Sequence, residues 1–505
     1  MHRYRFVLPL ALALCSACTG AVAASAAVFA PTKLTDGADG ACDADCSLRE
    51  AVQAANARAG DDVVLLKQGK YLLTIAGADD TAAAGDLDVL DDLTILGAGA
   101  DKTAVDGGAI DRIIHVQHGV ALTVRDVNLR DGRVVGDGGA ILNLGELTVE
   151  RCLLEGNHAG AGGGTGNGGA IATILTTAPA AQLTVVDSAI VGAEAEQRGG
   201  GIYAGGATEL RNVTLSNNVA GIYGGAVYVT SAAVAELRNV TIATNFAGTS
   251  GGGLLAEPTA FIGTAAKVTN SILAGNSAPA GPDCAGDVDT GYDLVGNNGG
   301  CNGPSAANHD LVGTPASPID ARLGALTNAG GPTPVRPLDA GTSGPASPAI
   351  DAGDPVTPGT SDDACPATDQ RGVHRPGGPR CDIGAFELST ECVPGGPFLC
   401  MVGNRFRVLA HWRTPQGDEG DAEGVQLTSD SGYFWFFGPD NVEVTVKVLD
   451  GCGVNNRYWV FSSGVTNVEV TLRVVDTATG ATKTYTNPLN QVFRSILDTD
   501  AFACH

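Results

Sequence analysis

Apolar residues recur in two fixed columns through the middle of the chain, where six stretches align without gaps. The first column holds Val124, Val149, Val185, Leu210, Leu237 and Val268, and the second holds Leu129, Leu154, Ile190, Leu215, Ile242 and Leu273. Between the columns apolar and polar side chains alternate, which is the period of a strand with one buried side. The pattern predicts short strands that repeat along the chain.

Polar residues recur at the positions where the chain must turn. One turn column holds Asp126, Arg151, Asp187, Asn212, Asn239 and Asn270, and another holds Asn157, Asn218, Asn245 and Asn276, with Gly132 and Ala193 in two further units. Asparagine tolerates the left-handed backbone conformation and can hydrogen-bond to an identical residue one coil away. Glycine pairs begin at Gly138, Gly168, Gly199, Gly224 and Gly251, which suits tight turns.

The repeating unit determines the expected fold. One unit of three short strands cannot bury its inner side, whereas stacked units can if each strand pairs in parallel with its equivalent in the next coil. We therefore expect an all-β protein built on a right-handed parallel β-helix over residues 27–390. Weaker coils extend the pattern downstream as far as "CDIGAFE" from Cys381.

One amphipathic helix is predicted at the front of this region, over residues 47–58. Ser47 and Glu50 have the spacing of a capping box. Apolar residues follow at helical spacing: Leu48, Ala51, Val52 and Ala55. A solenoid ends in an open apolar mouth with unpaired strand edges, so we expect this helix to cap the N-terminal mouth.

Residues 1–26 have the pattern of a secretory signal peptide. His2, Arg3 and Arg5 precede an apolar run that is too short to span a bilayer, and small residues follow it. Cys15 stands where a lipoprotein signal carries an aliphatic residue, which favours ordinary cleavage over lipidation at Cys18. No later stretch could serve as a transmembrane helix, so we expect a protein that is secreted or displayed on the bacterial cell surface.

Export makes the cysteines informative, because disulfides form in oxidising compartments. Thirteen cysteines are present, two of them in the signal. Neighbouring cysteines suggest the pairs Cys42–Cys46, Cys284–Cys301, Cys365–Cys381, Cys392–Cys400 and Cys452–Cys504, although the sequence leaves the connectivity open. Cys152 is left over at an inward position of the repeat, where we interpret it as a small buried hydrophobic residue rather than a reactive thiol.

The composition changes after Glu391, where the repeat columns stop. All three tryptophans, Trp412, Trp435 and Trp459, lie in residues 391–505, among strand-like segments rich in β-branched and aromatic residues. We expect a separate antiparallel β-sandwich there. The favoured interpretation of its aromatic residues is a core, with Tyr433 to Phe437 as a strand buried on both faces. The other is a platform that stacks on sugar rings.

Two motifs resemble those of known families. "CSLREAV" from Cys46 is similar to the CSLREA-type exported β-helix proteins of bacteria. "SPAIDAG" from Ser347 and "DQRGVHRPGGPRCDIGAFE" from Asp369 resemble the choice-of-anchor Q β-helix family. Together the resemblance covers about residues 40–390 and implies a β-helix and export, far more firmly than it implies an activity.

Charged clusters could carry chemistry, but none predicts a catalytic, cofactor-binding or metal-binding residue. A weak cluster near one coil consists of Asp111, Arg112, His115 and His118. A second cluster lies inside the C-terminal family motif and is interpreted as structural ion pairs: Asp369, Arg371, Arg375 and Asp382. Calcium is conceivable at two acidic stretches, although such turns more often hold no ion: Asp36, Asp39, Asp43 and Asp45, and Asp287, Asp289 and Asp293.

The formal net charge of −25, without any basic run, argues against nucleic acid or an anionic bilayer as a partner. We expect a monomer whose partner is an extracellular or surface glycan. The favoured function is non-catalytic glycan binding or adhesion. The alternative is a polysaccharide lyase or glycoside hydrolase acting on an extracellular polysaccharide, which would need a groove with convergent carboxylates and a base.

Overall fold

The computed structural model describes residues 26–175, 179–259, 265–341, 344–389, 392, 397–479 and 481–504; the predicted signal peptide lies almost entirely outside them. Helix is confined within these ranges to Leu48–Asn56, Ala306–Asn308 and Cys452–Asn455. None of these helices has the length and apolar character needed to cross a membrane. Nearly all the remaining regular structure is strand, arranged as a right-handed parallel β-solenoid followed by a β-sandwich.

Three parallel faces form the solenoid, and they confirm the predicted stacking of equivalent strands. Face A contains Val28–Phe29, Asp62–Leu65, Leu93–Leu96, Ala121–Arg125, Glu146–Glu150, Gln182–Val186, Ala207–Arg211, Ala235–Arg238, Ala266–Thr269 and Cys284–Gly291. Face B contains Gly69–Leu72, Thr103–Asp106, Asn128–Arg130, Leu153–Glu155, Ala189–Val191, Thr214–Ser216, Thr241–Ala243, Ile272–Leu273, Leu294–Val295 and Leu311–Val312.

Face C shares the long strand Cys284–Gly291 with face A. Its other strands are Leu87–Val89, Ile114–Val116, Ile141–Asn143, Ile171–Thr173, Ile202–Ala204, Val227–Val229, Leu254–Ala256 and Cys301–Asn302. A narrow fourth ladder contains Arg133–Val134, His158–Ala159, Glu194–Ala195, Val219–Ala220 and Phe246–Ala247. The solenoid is therefore closed by short strands whose inner side chains meet in one core.

The two aliphatic columns lie in the core in the predicted register. Val149 pairs with Val185 on face A, and Leu215 pairs with Ile242 on face B. All six residues of the first turn column adopt the left-handed conformation, with φ between 50° and 59°. This conformation explains why asparagine and aspartate predominate in the column, since few other side chains tolerate it at low cost.

The second asparagine column forms a buried hydrogen-bonded ladder, as predicted. Asn218 Nδ2 donates to Asn245 Oδ1 at 2.9 Å, and Asn245 Nδ2 donates to Asn276 Oδ1 at the same distance. The ladder ends at Asp283, whose carboxylate accepts from the backbone N and the Nδ2 of Asn276. Burial raises the pKa of Asp283 to about 6.

The predicted capping helix is present as Leu48–Asn56, with Ser47 at its N-cap. Ser47 Oγ accepts from the Glu50 backbone, and Glu50 Oε2 accepts from the Ser47 backbone at 2.7 Å, which completes the capping box. Leu48 enters the solenoid core, and Arg49 is fully buried against Asp36. Each residue of the CSLREA stretch therefore has a structural role in closing the N-terminal mouth.

The solenoid ends earlier than the sequence pattern predicts. Parallel pairing stops at Leu311–Val312, and among the described residues that follow, up to 389, only isolated antiparallel bridges occur. This return segment, residues 313–389, packs against the outer side of face B: Gln370 accepts from Thr214 Oγ1 at 2.6 Å, and Ala385 donates to Thr241 Oγ1 at 2.9 Å. Its prolines remove the backbone donors that further coils would need.

All five suggested cysteine pairs are disulfides: Cys42–Cys46, Cys284–Cys301, Cys365–Cys381, Cys392–Cys400 and Cys452–Cys504. Cys152 is buried and unpaired, in agreement with its interpretation as a core residue. Its Sγ approaches the Glu150 carbonyl oxygen at 3.3 Å. Burial raises the pKa of this thiol to about 12, so the reactive thiolate is strongly disfavoured.

The C-terminal region forms the predicted antiparallel sandwich. One sheet contains Leu399–Met401, Phe406–Arg413, Glu419–Asp421, Glu469–Asp476 and Thr482–Asn487, and the other contains Glu423–Thr428, Ser431–Trp435, Val444–Gly451, Arg457–Gly464 and Ile496–Ala503. Tyr433–Phe437 is not a strand buried on both faces. Phe434 is buried in the core, whereas Tyr433 and Trp435 are half-buried on the other side of the same strand, which faces outward.

Candidate functional site

The weak cluster around His115 is part of a packed charge network rather than an open site. His115 Nδ1 lies 3.1 Å from Asp88 Oδ1, and Arg112 pairs with Asp86 at 2.5 Å. Burial raises the pKa of Asp86 to about 6 despite the opposing effect of Arg112. His118, by contrast, is exposed. Asp86 and Asp88 were missed because they alternate with Leu87 and Val89, a pattern that predicts outward, solvated positions of a strand, whereas both are buried.

The other predicted charge cluster is a buried ion-pair network. Asp369 binds Arg371 at 2.7 Å, and Arg375 binds Glu387 at 2.8 Å. Glu387 also accepts from the backbone of Asp382, and it is a member that the sequence did not single out. All five residues are at most 8% exposed, so a dissolved substrate cannot reach their charged groups. The arrangement fits the structural interpretation.

The acidic stretches do not converge on a common point in the described structure. The carboxylate of Asp36 forms an ion pair with Arg49. The carboxylate of Asp293 accepts hydrogen bonds from the backbone N–H groups of Ser271 and Gly291. Three groups of potential metal ligands occur among the described residues, and none contains an aspartate from these stretches. One of those groups joins His115 to Asp88 and Asp80.

A groove of about 630 Å³ lies on the outer side of face A. Its floor carries Glu209 and Arg211 from one coil and Glu236 and Arg238 from the next. Its wall is part of the return segment, residues 359–367. None of the four floor side chains forms a hydrogen bond or a close ion pair with any described residue. The groove therefore presents two unpaired carboxylates and two unpaired guanidinium groups to solvent.

The groove could not be recognised from the repeat alone, although its floor leaves a trace in the sequence. "ELRN" occurs twice, at Glu209 and at Glu236, and both copies precede the core column by the same spacing. Strand alternation places glutamate and arginine outward when leucine points inward. The wall consists of residues more than a hundred positions later in the chain. No local sequence pattern predicts that this segment lies beside the floor.

The second candidate surface is the aromatic face, the outward side of the second sandwich sheet. It carries Leu449, Trp459 and Phe461 at one end and Tyr433 and Trp435 at the other, with Thr445 and Lys447 between the two groups. The five side chains at the two ends are half-buried. Trp459 and Phe461 meet edge-to-face with centroids 6.3 Å apart, and the indole Nε1 of Trp459 donates to Asn455 at 2.8 Å. These contacts fix the indole ring while leaving part of its apolar surface in solvent.

A shallow depression of about 300 Å³ adjoins the aromatic face beside Phe461. Leu427 and Leu497 line it and are 61% and 74% exposed. Lys447, Thr445 and Ser463 add polar groups at its edge. Apolar side chains this exposed in one patch, next to a few polar groups, are typical of a binding surface rather than of a solvated sheet.

The tryptophans divide between core and surface, so neither interpretation from the sequence covers all three. Trp412 lies at the end of the sandwich core, stacked on Phe436 at 6.2 Å and edge-on to Phe437 at 4.9 Å. Trp435 and Trp459 lie on the outward side of the other sheet. The sequence could not separate them, because the division depends on the side of its own strand to which each ring turns.

Comparisons of the chain with models of protein families, with curated proteins and with solved structures find no match.

Proposed function

We propose that the protein is an exported, non-catalytic glycan-binding protein in which the sandwich makes the contact and the solenoid is a rigid support. The aromatic face is the observation that carries the proposal. A sugar ring that stacks on such partly exposed aromatic rings buries their apolar surface, and the polar groups beside them can bind its hydroxyl groups.

Further features support export and an extracellular setting. Five disulfides are frequent in proteins of oxidising compartments and rare in the cytosol. The basic and apolar start of the chain, and the similarity of its CSLREA and CDIGAFE motifs to exported β-helix families, point the same way. We place the mature chain outside the cell, as a monomer that is secreted or held at the surface.

The test is a glycan array followed by calorimetry with the full mature chain. Trp459→Ala combined with Phe461→Ala should weaken binding about tenfold, since each aromatic contact contributes on the order of 0.5–1.5 kcal/mol. Phe437→Ala is the matched control, because Phe437 is an aromatic residue of the same domain that is accessible to solvent but lies outside the aromatic face. Affinity that is unchanged in the double variant would remove the aromatic face from the proposal.

A polysaccharide lyase or glycoside hydrolase is the second candidate, and the groove favours it. Glu209 and Glu236 lie on adjacent strands, which are spaced about 4.8 Å apart. Retaining glycosidases hold their two carboxyl groups about 5–5.5 Å apart. Reducing ends and unsaturated products should be measured on neutral and acidic polysaccharides, with and without calcium. Turnover that disappears in Glu209→Gln or Glu236→Gln would establish the enzyme.

A further inference from the structure

In the groove, side chains of the same charge lie next to each other on adjacent coils, which is unusual on this solenoid. The register of face A places Glu209 directly beside Glu236 and Arg211 directly beside Arg238. Like charges in directly opposed positions destabilise a sheet. None of the four side chains forms a close ion pair in the described structure; the nearest compensation acts at longer range, from Lys267 opposite Glu236 in the next coil and from Asp363 near Arg238.

At other places on face A and its adjoining turn, two outward charges find close partners in a neighbouring coil. Arg125 binds Glu150 of the following coil, and Arg151 binds Asp126 of the preceding coil at 2.7 Å. The same type of coil can therefore neutralise its outward charges, and the floor of the groove does not. A cost confined to the floor of a walled groove suggests that a ligand neutralises it.

The wall of the groove is fixed in place before any ligand arrives. Cys365, in the wall, is bonded to Cys381. Asp363 is held from the solenoid side by Lys267, which forms an ion pair with it, and by Asn270 Nδ2, which donates to its carbonyl oxygen at 3.1 Å. A preformed groove loses little conformational entropy on binding, which raises affinity for a matching ligand.

We propose that this groove is a second saccharide site, which takes a neutral, linear, hydroxyl-rich glycan running along the solenoid axis. Carboxylates only accept hydrogen bonds and guanidinium groups only donate them, so each coil offers a sugar both partners for its hydroxyl groups. The next coil repeats the same pair one strand spacing away. A repeating ligand would therefore be bound with the same contacts in both coils.

The charge balance selects against an acidic glycan. The two carboxylates and two guanidinium groups of the floor cancel, and the whole chain carries −25, so a polyanion gains no net attraction. The proposal goes beyond the function assigned to the sandwich, because the groove needs no residue of the aromatic face and can bind whether or not that face does.

The experiment uses the full mature chain carrying Trp459→Ala and Phe461→Ala, so that any remaining binding reports on the groove. Xylo-, manno- and cello-oligosaccharides are titrated, with oligogalacturonate as the acidic counterpart. At least one neutral series should bind. Adding Glu236→Ala or Arg238→Ala should weaken it at least about tenfold while the melting temperature changes little, because each substitution removes a like-charge contact together with a longer-range attraction, that of Glu236 to Lys267 or that of Arg238 to Asp363.

Glu146→Ala is the matched control, since Glu146 is an exposed outward glutamate of face A that lies outside the groove. It should leave affinity unchanged. The proposal is overturned if no neutral series binds the background chain, if the groove variants bind as well as the background, or if oligogalacturonate binds more tightly than every neutral series. Failure of the aromatic face would instead show as unchanged affinity when Trp459 and Phe461 are replaced in the wild-type chain.

Discussion

Arg49 and Asp36 form an ion pair in which both side chains are fully buried, with Arg49 Nε 2.9 Å from Asp36 Oδ1. The remaining donors of the guanidinium group reach the carbonyl oxygens of Ala82, Gly85 and Asp86. One side chain of the capping helix thereby binds both the segment before the helix and the loop that enters the third face. This pairing explains why a charged residue stands among the apolar residues of the cap.

Replacement of Arg49 by methionine should loosen the whole cap. The substitution leaves the Asp36 carboxylate buried without its partner, which typically costs 3–5 kcal/mol. Hydrogen exchange should accelerate through residues 47–58 and in the first coil, and the melting temperature should fall. Arg125→Met is the control, because the Arg125–Glu150 pair lies at the surface and such pairs contribute about 1 kcal/mol or less. Equal effects of the two substitutions would contradict the structural role of the buried pair.

Leu215→Asp should open the solenoid at its middle. Leu215 is fully buried in the second aliphatic column, between Ile190 and Ile242 of the neighbouring coils. An unpaired buried carboxylate costs several kcal/mol, enough to unfold the adjoining coils locally. Hydrogen exchange should locate the loss there. Val135→Asp is the comparison, since Val135 is 67% exposed and should tolerate the charge. An unchanged melting temperature in Leu215→Asp would show that the register is wrong.

Cys152→Ser should be nearly neutral, within about 1 kcal/mol. Ser188 and Ser271 occupy the equivalent position in other coils, and their hydroxyl groups donate to the carbonyl oxygen two residues earlier, at 2.6 and 2.9 Å. The Cys152 thiol approaches its own equivalent carbonyl oxygen in the same way. A serine would therefore keep the local hydrogen bond.

The contrasting substitution at this site is Cys152→Leu, which adds volume to a close-packed position and should cost about 1–3 kcal/mol. The native thiol should also resist alkylation at pH 8, because burial holds its pKa near 12. Rapid labelling of the folded chain, or a large loss of stability in the serine variant, would contradict the assignment of Cys152 to the core.

The regular part of the fold could be predicted because burial repeats with the coil. Every coil must place an aliphatic residue inward at the same position, so Leu154, Ile190 and Leu215 share one column of the sequence as they share one column of the core. The return segment could not be predicted in the same way. Its contacts, such as that of Asn212 with Thr368, join residues 156 positions apart and follow no period.

The two candidate surfaces were harder to predict from the sequence than the core, for two physical reasons. The groove depends on an inter-coil register and on a wall from a distant segment, so Glu209 and Glu236 are recognisable as outward residues but not as a site. The aromatic face depends on the side to which each ring turns. Trp435 and Phe436 are neighbours in sequence, yet one lies outside and the other lies in the core.

Stability should fall as the pH rises from about 4 to about 7. Burial raises the pKa values of Asp86, Asp187 and Asp283 to about 6, and that of Asp382 to about 7, from a usual value of 3.8. In this range the folded chain binds more protons than the unfolded chain, so the folded state is favoured at the acidic end. The melting temperature should be higher at pH 5 than at pH 8.

Asp187→Asn isolates one of these groups. Asn212 Nδ2 donates to Asp187 Oδ1 at 2.9 Å, and an asparagine at position 187 keeps that acceptor and suits the left-handed turn, as Asn212 and Asn239 do in the next coils. The variant should gain about 1–2 kcal/mol at pH 8, little at pH 4, and a flatter pH profile.

Asp126→Asn is the matched control for Asp187→Asn, because it changes the same turn column but removes the carboxylate that binds Arg151 at 2.7 Å. It should give no gain at pH 8. Thermal unfolding of the wild-type chain and both variants from pH 4 to pH 8 measures the difference. If Asp187→Asn and the wild type show parallel profiles, Asp187 is ionised in the folded chain at pH 5, and the pH dependence must come from the other buried carboxyl groups.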